Sequence, residues 1–224
     1  MSASRQLPLP LPHEPSFARE DFLAAPCNAA ALALIDAWPS WPAPLMLLVG
    51  PPGAGKSHLA AIFAARADAR RLSGGDLAGL DPEATSQAPA LALDDADAFA
   101  GAEAPFFHLL NFARARGVSM LLTARRPPDF WGVSTPDLLS RLRLAPVVEI
   151  AAPEEDLVEA VLTKLFSDRQ LLVEPSLVGY LARRLDRSLE SARALVEKLD
   201  AEALSQGRKV TRAMATPFLA SDEE

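Results

Sequence analysis

The fold of this chain is decided by the stretch Gly50-Pro51-Pro52-Gly53-Ala54-Gly55-Lys56-Ser57, which fits the pattern G-x-x-x-x-G-K-S/T at every required position. Its glycines allow a tight turn that brings backbone N–H groups up to phosphate oxygens. Lys56 can reach the outer phosphates as a point charge, and the Ser57 hydroxyl is a ligand that Mg²⁺ accepts. The pattern therefore predicts a phosphate-binding loop. Its candidate nucleotide-binding residues are Gly50, Pro51, Gly53, Ala54, Gly55, Lys56, Ser57 and His58.

The sequence on either side of this loop fits the same interpretation. Residues 45–49 form a short apolar run, which indicates a buried strand, and residues 58–67 carry apolar side chains at helical spacing. The start of that helix adds a partial positive charge to the phosphate site. A chance glycine turn between a strand and a helix is the alternative, and the match of both motif and context disfavours it.

The composition is that of an ordinary globular protein. The chain has 224 residues, of which 50% are hydrophobic, and its net charge of −7 argues against broad non-specific nucleic-acid binding. The single cysteine, Cys27, cannot form an internal disulfide, which favours a reducing, cytoplasmic location. No apolar run reaches the roughly 18 residues of a membrane span, and the proline-rich start does not resemble a signal peptide.

Strand-like and helical segments alternate through the first two thirds of the chain. Strands are predicted at 45–49, 69–72, 90–93, 119–123 and 147–150, and helices at 16–38, 58–67, 105–116 and 136–142. This alternation predicts an α/β fold with a mostly parallel sheet flanked by helices. Helices starting near 153, at 176–185 and at 188–204 then predict a small all-helical domain. We expect an extended tail over 1–15, a nucleotide-binding domain over 16–152 and a helical domain over 153–224.

Two carboxylates follow the apolar strand that ends at Leu93. A phosphate-binding loop needs a metal-holding acid on a neighbouring strand, and Asp94 is placed to bind Mg²⁺ through water, while Asp95 could orient or deprotonate an attacking water. Thr123, at the end of the next strand, is a candidate to touch the γ-phosphate or that water, although threonine is common at strand ends without such a role. An acidic turn is the alternative for the two aspartates, and the nearby phosphate loop favours the catalytic interpretation.

Arg141 lies late in the short helix predicted at 136–142, just before the last strand. An exposed arginine at that edge could enter the active site of a neighbouring molecule and stabilise the charge that develops during phosphoryl transfer. Arg143 is the competing candidate, and a surface arginine without a role is the default for either residue.

The order of these features resembles that of AAA+ ATPases, and more narrowly that of the DnaA family, in which the short Hda type is closest. The resemblance covers nearly all of residues 6–220, and its carriers are Phe22-Leu23, Asn28, residues 50–57, 93–95, 123–128, 136–142 and 184–187. It implies an AAA+ nucleotide-binding domain with a helical lid, ATP or ADP with Mg²⁺ as ligands, and Leu23 beside the nucleotide. Lid domains of this family usually offer an arginine as well, but the aligned position here is Glu190. Either of the flanking residues Arg187 and Arg193 could take its place, with Arg187 as our first candidate, or this contact could be lost.

The tail segment 6–11 is similar to the Hda segment that docks on the DNA polymerase sliding clamp. Gln6 can form hydrogen bonds, Leu7, Leu9 and Leu11 can anchor in a groove, and the prolines lower the cost of ordering. A proline-leucine linker is the alternative. The resemblance implies a cytoplasmic regulator that binds the clamp and stimulates hydrolysis of ATP held by the initiator DnaA. Arg141 would act in trans, and the chain's own ATPase activity would be weak or partner-dependent.

Two other functions stay open. The first is an AAA+ adaptor or loader that brings a helicase or another partner to DNA, with weak DNA contact through the basic residues Arg183, Arg184, Arg187, Arg193, Arg208, Lys209 and Arg212. The second is a P-loop kinase for a small molecule, which the paired aspartates and the helical C-terminal domain argue against. A homo-oligomer is compatible with each of these functions, and no membrane partner is expected.

Overall fold

The computed structural model describes residues 17–219, which form two compact units. One unit is Phe17–Ala152, and the other begins at Pro153. The candidate clamp-binding residues Gln6, Leu7, Leu9 and Leu11 lie outside the described residues. Among residues 17–219, no helix is both long enough and apolar enough to cross a membrane.

The first unit is built on a five-stranded sheet in which all neighbouring strands are parallel. Its strands are β1 (Leu45–Val49), β2 (Ala69–Ser73), β3 (Ala90–Asp94), β4 (Ser119–Ala124) and β5 (Val147–Glu149). Their order across the sheet is β2-β3-β4-β1-β5. The central strands are buried on both faces, which is why they read as continuous apolar runs rather than as alternating ones. The prediction of a parallel α/β fold is confirmed.

The strand order corrects one expectation, because β3 is not the neighbour of β1. Strand β4 lies between them and pairs with both, with Leu47 opposite Leu122 on one side and Leu93 opposite Leu122 on the other. Hydrophobic patterning identifies a strand but not its neighbours, since strand order depends on how the crossovers pack. A practical consequence is that Thr123, on β4, stands between the P-loop strand and the strand that carries Asp94.

Helices cover both faces of the sheet. On one face, α1 (Ala29–Ala37) and α2 (Lys56–Ala67) pack against Met46, Leu48 and Leu121. On the other, α4 (Glu103–Arg116) and α5 (Pro136–Arg143) pack against the alternate strand residues, including Leu47 and Leu122. This division follows the two-residue period of a strand. A single short turn of helix, α3 (Pro82–Thr85), precedes β3.

The helix predicted over 16–38 is only partly present. A short 3₁₀ helix covers Arg19–Asp21, and regular helix begins only at Ala29. Pro26 cannot donate an intrahelical hydrogen bond, and the buried Asn28 side chain accepts from the Ala25 N–H at 2.9 Å and donates to the Leu23 carbonyl at 3.0 Å. These two bonds stabilise a non-helical backbone over the segment that sequence periodicity assigned to the helix.

The second unit is all-helical in its described part. Its helices are α6 (Glu155–Asp168), α7 (Pro175–Ala182), α8 (Leu189–Gln206) and α9 (Arg212–Leu219). The first three lie near their predicted positions, and Ser188 caps α8 through a bond from the Ser191 N–H at 3.2 Å. Helix α9 is not predicted from the sequence, because it is short and carries a proline inside it.

Candidate functional site

The P-loop turns between β1 and α2 at two glycines with left-handed backbones. Gly53 has φ 68° and Gly55 has φ 98°, a region that side chains disfavour. Gly50 meets a different constraint, because a Cβ there would lie 2.5 Å from the carbonyl oxygen of Ile150. Gly55 is also the N-cap of α2, so no side chain caps the first turn of that helix. The positive end of a twelve-residue helix is thus directed into the loop.

Lys56 lies inside this loop and is nearly buried. Its ammonium group donates to the carbonyl oxygens of Gly50 at 2.8 Å and Pro51 at 2.9 Å. Burial lowers its pKa, and the negative charges of Asp95 and Asp94 oppose that shift. An ammonium group has three donors, so Lys56 keeps one for a phosphate oxygen while two hold it in the loop.

The Thr123 hydroxyl joins the two aspartates at the end of β3. It donates a short hydrogen bond to the Asp94 carboxylate and accepts one from the backbone N–H of Asp95 at 3.0 Å. Thr123 has no exposed surface. Its hydroxyl therefore fixes the orientation of Asp94 and the backbone at Asp95, while its predicted contact with phosphate or water stays a prediction.

Asp95 occupies a left-handed backbone conformation with φ 48°, which aspartate tolerates better than most residues. Gly74 packs against this bend, since a Cβ at Gly74 would lie 2.1 Å from the carbonyl oxygen of Asp95. Burial, together with the charges of Asp94 and Asp97, raises the pKa of Asp95, and Lys56 opposes the shift. A carboxylate with a raised pKa is better matched to accepting a proton from water.

Two supporting residues were missed by sequence reasoning. Asp97 lies two positions after the paired aspartates and belongs to no motif, but its carboxylate accepts a hydrogen bond from the backbone N–H of Arg125 at 3.0 Å. This bond links the turn after β3 to the turn after β4. Gly74 is the second, and its only signal in the sequence is the Gly74-Gly75 pair after β2.

The segment before α1 packs against the start of the P-loop helix. The ring of His58 lies edge-on to the rings of Phe17 and Phe22, with centroids 5.3 and 5.2 Å away, and its Nε2 is 3.1 Å from the Ala18 carbonyl oxygen. The candidate Leu23 follows Phe22 directly and is partly exposed. The structure therefore brings Leu23 and His58, 35 positions apart in the chain, into one part of the fold beside the P-loop.

The oxygens around the loop fit a magnesium ion that is shared with a nucleotide. Ser57 is an exposed first-turn hydroxyl, and Asp94 supplies a carboxylate whose position Thr123 fixes. Among the described residues, no group of three or more His, Cys, Asp or Glu side chains could hold a metal ion alone. Mg²⁺ in such sites takes one or two protein oxygens together with phosphate oxygens and water. The site thus suits a metal that arrives with the phosphates.

Arg141 lies at the opposite end of the sheet from this site. It lines an apolar cavity of about 270 Å³ together with Pro44, Leu45 and Met120, which lie at the amino-terminal ends of β1 and β4. The P-loop follows the carboxyl-terminal end of β1. Arg141 is therefore not brought together with Lys56 and Asp95 of its own chain. The competing candidate Arg143 is tied to Asp129 by a short surface ion pair.

The remaining candidate, Arg187, belongs to the helical unit. It is exposed and immediately precedes Ser188, the N-cap of α8. Glu190 is in the first turn of the same helix. Within its own unit, the placement of Arg187 leaves its guanidinium accessible, and its role at a nucleotide stays a prediction.

Comparison with known proteins gives similarities to bacterial replication initiators. The chain is 27% identical over 155 residues to the chromosomal replication initiator protein DnaA of Sphingopyxis alaskensis, a match that covers 67% of this chain and 34% of that protein. The chain thus spans about a third of the length of that curated relative. It matches no protein-family model.

Two solved structures of DnaA share the fold. Domain III of Thermotoga maritima DnaA superposes with a TM-score of 0.76 at 18% identity, over 94% of this chain and 98% of that one. AMPPCP-bound DnaA from Aquifex aeolicus gives a TM-score of 0.71 at 18% identity, over 85% of this chain and 67% of that one. The fold, the P-loop with its paired aspartates and the sequence similarity together support an AAA+ protein related to the DnaA initiators.

Proposed function

We propose that this chain is an Hda-like regulator of chromosome replication that binds ATP or ADP with Mg²⁺. In this proposal, residues 6–11 dock on the DNA polymerase sliding clamp, and Arg141 enters the nucleotide site of the initiator DnaA and promotes hydrolysis of its ATP. The chain's own nucleotide would act chiefly as a switch, with weak or partner-dependent hydrolysis.

The observation that carries the proposal is the position of Arg141. An arginine that assists phosphoryl transfer must touch the transferring phosphate. Arg141 stands at the amino-terminal end of the sheet, whereas the chain's own phosphate site stands at the carboxyl-terminal end. If Arg141 assists phosphoryl transfer, the nucleotide concerned is therefore one that another molecule holds.

The similarities support a nucleotide-binding protein of replication as the wider setting. Two of the DnaA structures with this fold were obtained with AMPPCP, and one of these also contains single-stranded DNA. The P-loop, Lys56 and the paired aspartates retain the groups that such a ligand requires. The choice of DnaA as target and of the sliding clamp as dock rests on the motifs at Arg141 and at residues 6–11.

The first arm of the test measures turnover of initiator-bound ATP in the presence of DNA-loaded clamp. We expect Arg141→Ala to reduce the stimulated rate by about 10³-fold or more. Arg143→Ala is the matched control, because it removes an equal charge only two residues from Arg141. Arg143 takes part in an exposed ion pair with Asp129, so this variant should keep the stimulated rate. Equal rates for wild type and Arg141→Ala would show that the mechanism is wrong.

The second arm is a pull-down on the clamp, with wild type and with a Gln6→Ala/Leu7→Ala variant. We expect the wild type to bind and the variant to lose binding. A wild-type chain that does not bind the clamp would exclude the Hda-like function. Clamp binding without stimulated turnover would leave the adaptor function described next.

An adaptor or loader that contacts DNA is the second candidate, and one feature of the helical unit favours it. The guanidinium groups of Arg184 and Arg212 lie 4.0 and 3.8 Å from the centroid of the Tyr180 ring, and both arginines are exposed. Two cations held beside one ring form a preorganised positive patch. If DNA binding falls in an Arg184→Ala/Arg212→Ala variant and the wild type does not stimulate turnover of initiator-bound ATP, the adaptor function is the correct one.

A further inference from the structure

Arg141 is held by a helix other than its own. Its guanidinium carbon lies 5.0 Å from the centroid of the Phe107 ring, which is within the range of a cation–π contact. Phe107 is on α4, whereas Arg141 is near the end of α5. The ring limits the conformations of a long side chain that would otherwise be mobile at the surface.

A second contact ties the start of α5 to the start of α4. The Glu103 carboxylate accepts hydrogen bonds from the Ser134 N–H, the Ser134 hydroxyl and the Thr135 N–H, each at 2.8 Å. These bonds lower the pKa of Glu103 to about 2, so the carboxylate is ionised across the physiological range. Thr135 is the N-cap of α5, so Glu103 fixes the first residue of the helix that carries Arg141.

Both contacts come from one face of α4. Glu103 and Phe107 are four residues apart, so they lie one above the other on that helix. The helix itself is anchored, because Phe106, Leu109 and Leu110 are buried in the core beneath the sheet. A rigid support therefore touches α5 at its start through Glu103 and near its end through Phe107.

We propose that Phe107 and Glu103 are positioning residues for Arg141, so that the arginine is presented by two helices rather than by α5 alone. This inference rests on the proposed function of Arg141 in trans. Phe107 acts on the guanidinium directly, whereas Glu103 sets the position of the helix. Neither residue is expected to touch the nucleotide of the partner.

The direct test replaces Phe107 and measures hydrolysis of initiator-bound ATP as the concentration of this protein is varied. We expect Phe107→Leu to lower the maximal rate by about 3- to 30-fold, from the usual strength of a cation–π contact. The concentration that gives half the maximal rate should not change, because the contact surface is kept. Phe107→Tyr restores an aromatic ring and should stay within about twofold of wild type.

A double-mutant cycle separates positioning from general damage. In an Arg141→Ala background, Phe107→Leu should cause no further loss, because it acts only through Arg141. If Phe107→Leu lowers the rate equally in both backgrounds, the inference is overturned. A separate readout is the Nε–H proton of Arg141 in the NMR spectrum, which the Phe107 ring should shift upfield, and this shift should vanish in Phe107→Leu and persist in Phe107→Tyr.

The outcomes distinguish a failure of the positioning roles from a failure of the proposed function on which they rest. If Arg141→Ala itself leaves hydrolysis unchanged, the proposed function is wrong and the positioning roles fall with it. If Arg141→Ala abolishes stimulation while Phe107→Leu matches wild type, the function stands and only the inference is overturned. Glu103→Gln should reduce the maximal rate without changing the affinity for ADP, and a loss of ADP binding there would indicate unfolding instead of misplacement.

Discussion

Replacing Thr123 with valine is the sharpest test of how the two aspartates are held. Valine has nearly the shape of threonine, so it fills the same buried space. The substitution removes the hydroxyl that joins Asp94 to the Asp95 backbone. Thr123 has no exposed surface, so water cannot easily replace the missing group. The substitution therefore removes two hydrogen bonds and very little packing.

The expected cost follows from the two bonds. A hydrogen bond to a charged group contributes about 1.5–3 kcal/mol, and a neutral one contributes about 0.5–1.5 kcal/mol. We therefore expect Thr123→Val to lower the free energy of unfolding of the α/β unit by about 2–4 kcal/mol. Thr123→Ser keeps the hydroxyl and loses one methyl group, so it should cost only about 1 kcal/mol.

Urea unfolding followed by tryptophan fluorescence measures this difference in the correct unit. All three tryptophans, Trp38, Trp41 and Trp131, lie within the α/β unit, so unfolding of the helical unit does not contribute to the signal. If Thr123→Val costs no more than Thr123→Ser, then the hydroxyl bonds do not hold the aspartates, and our account of the site is wrong.

Three further substitutions test other contacts. Gly74→Ala should lower the free energy of unfolding by about 1–3 kcal/mol and displace Asp95, because the new Cβ would lie 2.1 Å from the backbone oxygen of Asp95. The control Gly75→Ala should have a melting temperature close to that of wild type, because the atom nearest to its new Cβ is 3.9 Å away. Glu103→Gln should lower the melting temperature at neutral pH. Since hydrogen bonds depress the folded-state pKa of Glu103 from 4.5 to about 2, its contribution is complete above pH 4.5, and the difference from wild type should disappear as the pH falls to about 2. The side chain of Arg169 is buried, and its guanidinium group pairs with two half-exposed acids of α8. Arg169→Ala should therefore speed amide hydrogen exchange in α6 and α8 more than Arg169→Met does, because methionine preserves the packing of the side chain.

The sequence was sufficient for the P-loop and for the class of fold, because both depend on local patterns. The glycine spacing defines the loop, and the buried strands, which are five or six residues long, consist mostly of apolar residues. Strand order was not predictable in the same way, since no local pattern states that β4 lies between β1 and β3. The helix assigned to 16–38 failed because the side chain of Asn28 competes with the helical backbone, which an apolar period does not reveal.

The supporting contacts of the site were beyond sequence reasoning for a related reason. The hydrogen bonds that the carboxylates of Asp97 and Glu103 accept from the backbone N–H groups of Arg125 and Thr135 each join residues about 30 positions apart. Each residue alone looks like a solvated surface acid. Only the parallel sheet, which gathers the ends of distant strands at one edge, and the packing of α4 on α5 bring the partners together.

The two ends of this parallel sheet also determine what kind of complex the chain can form. One end holds the phosphate site, and the other end presents Arg141. A contact in which Arg141 of one molecule meets the phosphate site of another would therefore join two different surfaces. Such a heterologous contact is not self-complementary, and between identical chains it would leave one site and one arginine free to continue the assembly. Under the proposed function, a regulator that meets an initiator through its arginine end alone would not need this continuation, since docking of residues 6–11 on the clamp would bring the two proteins together. If the chain's own nucleotide is the switch, Lys56→Ala should therefore lower the turnover of initiator-bound ATP. If it is not the switch, the turnover should be unchanged. Initiator ATP turnover measured with that variant decides the question, and full turnover without nucleotide binding would refute the switch.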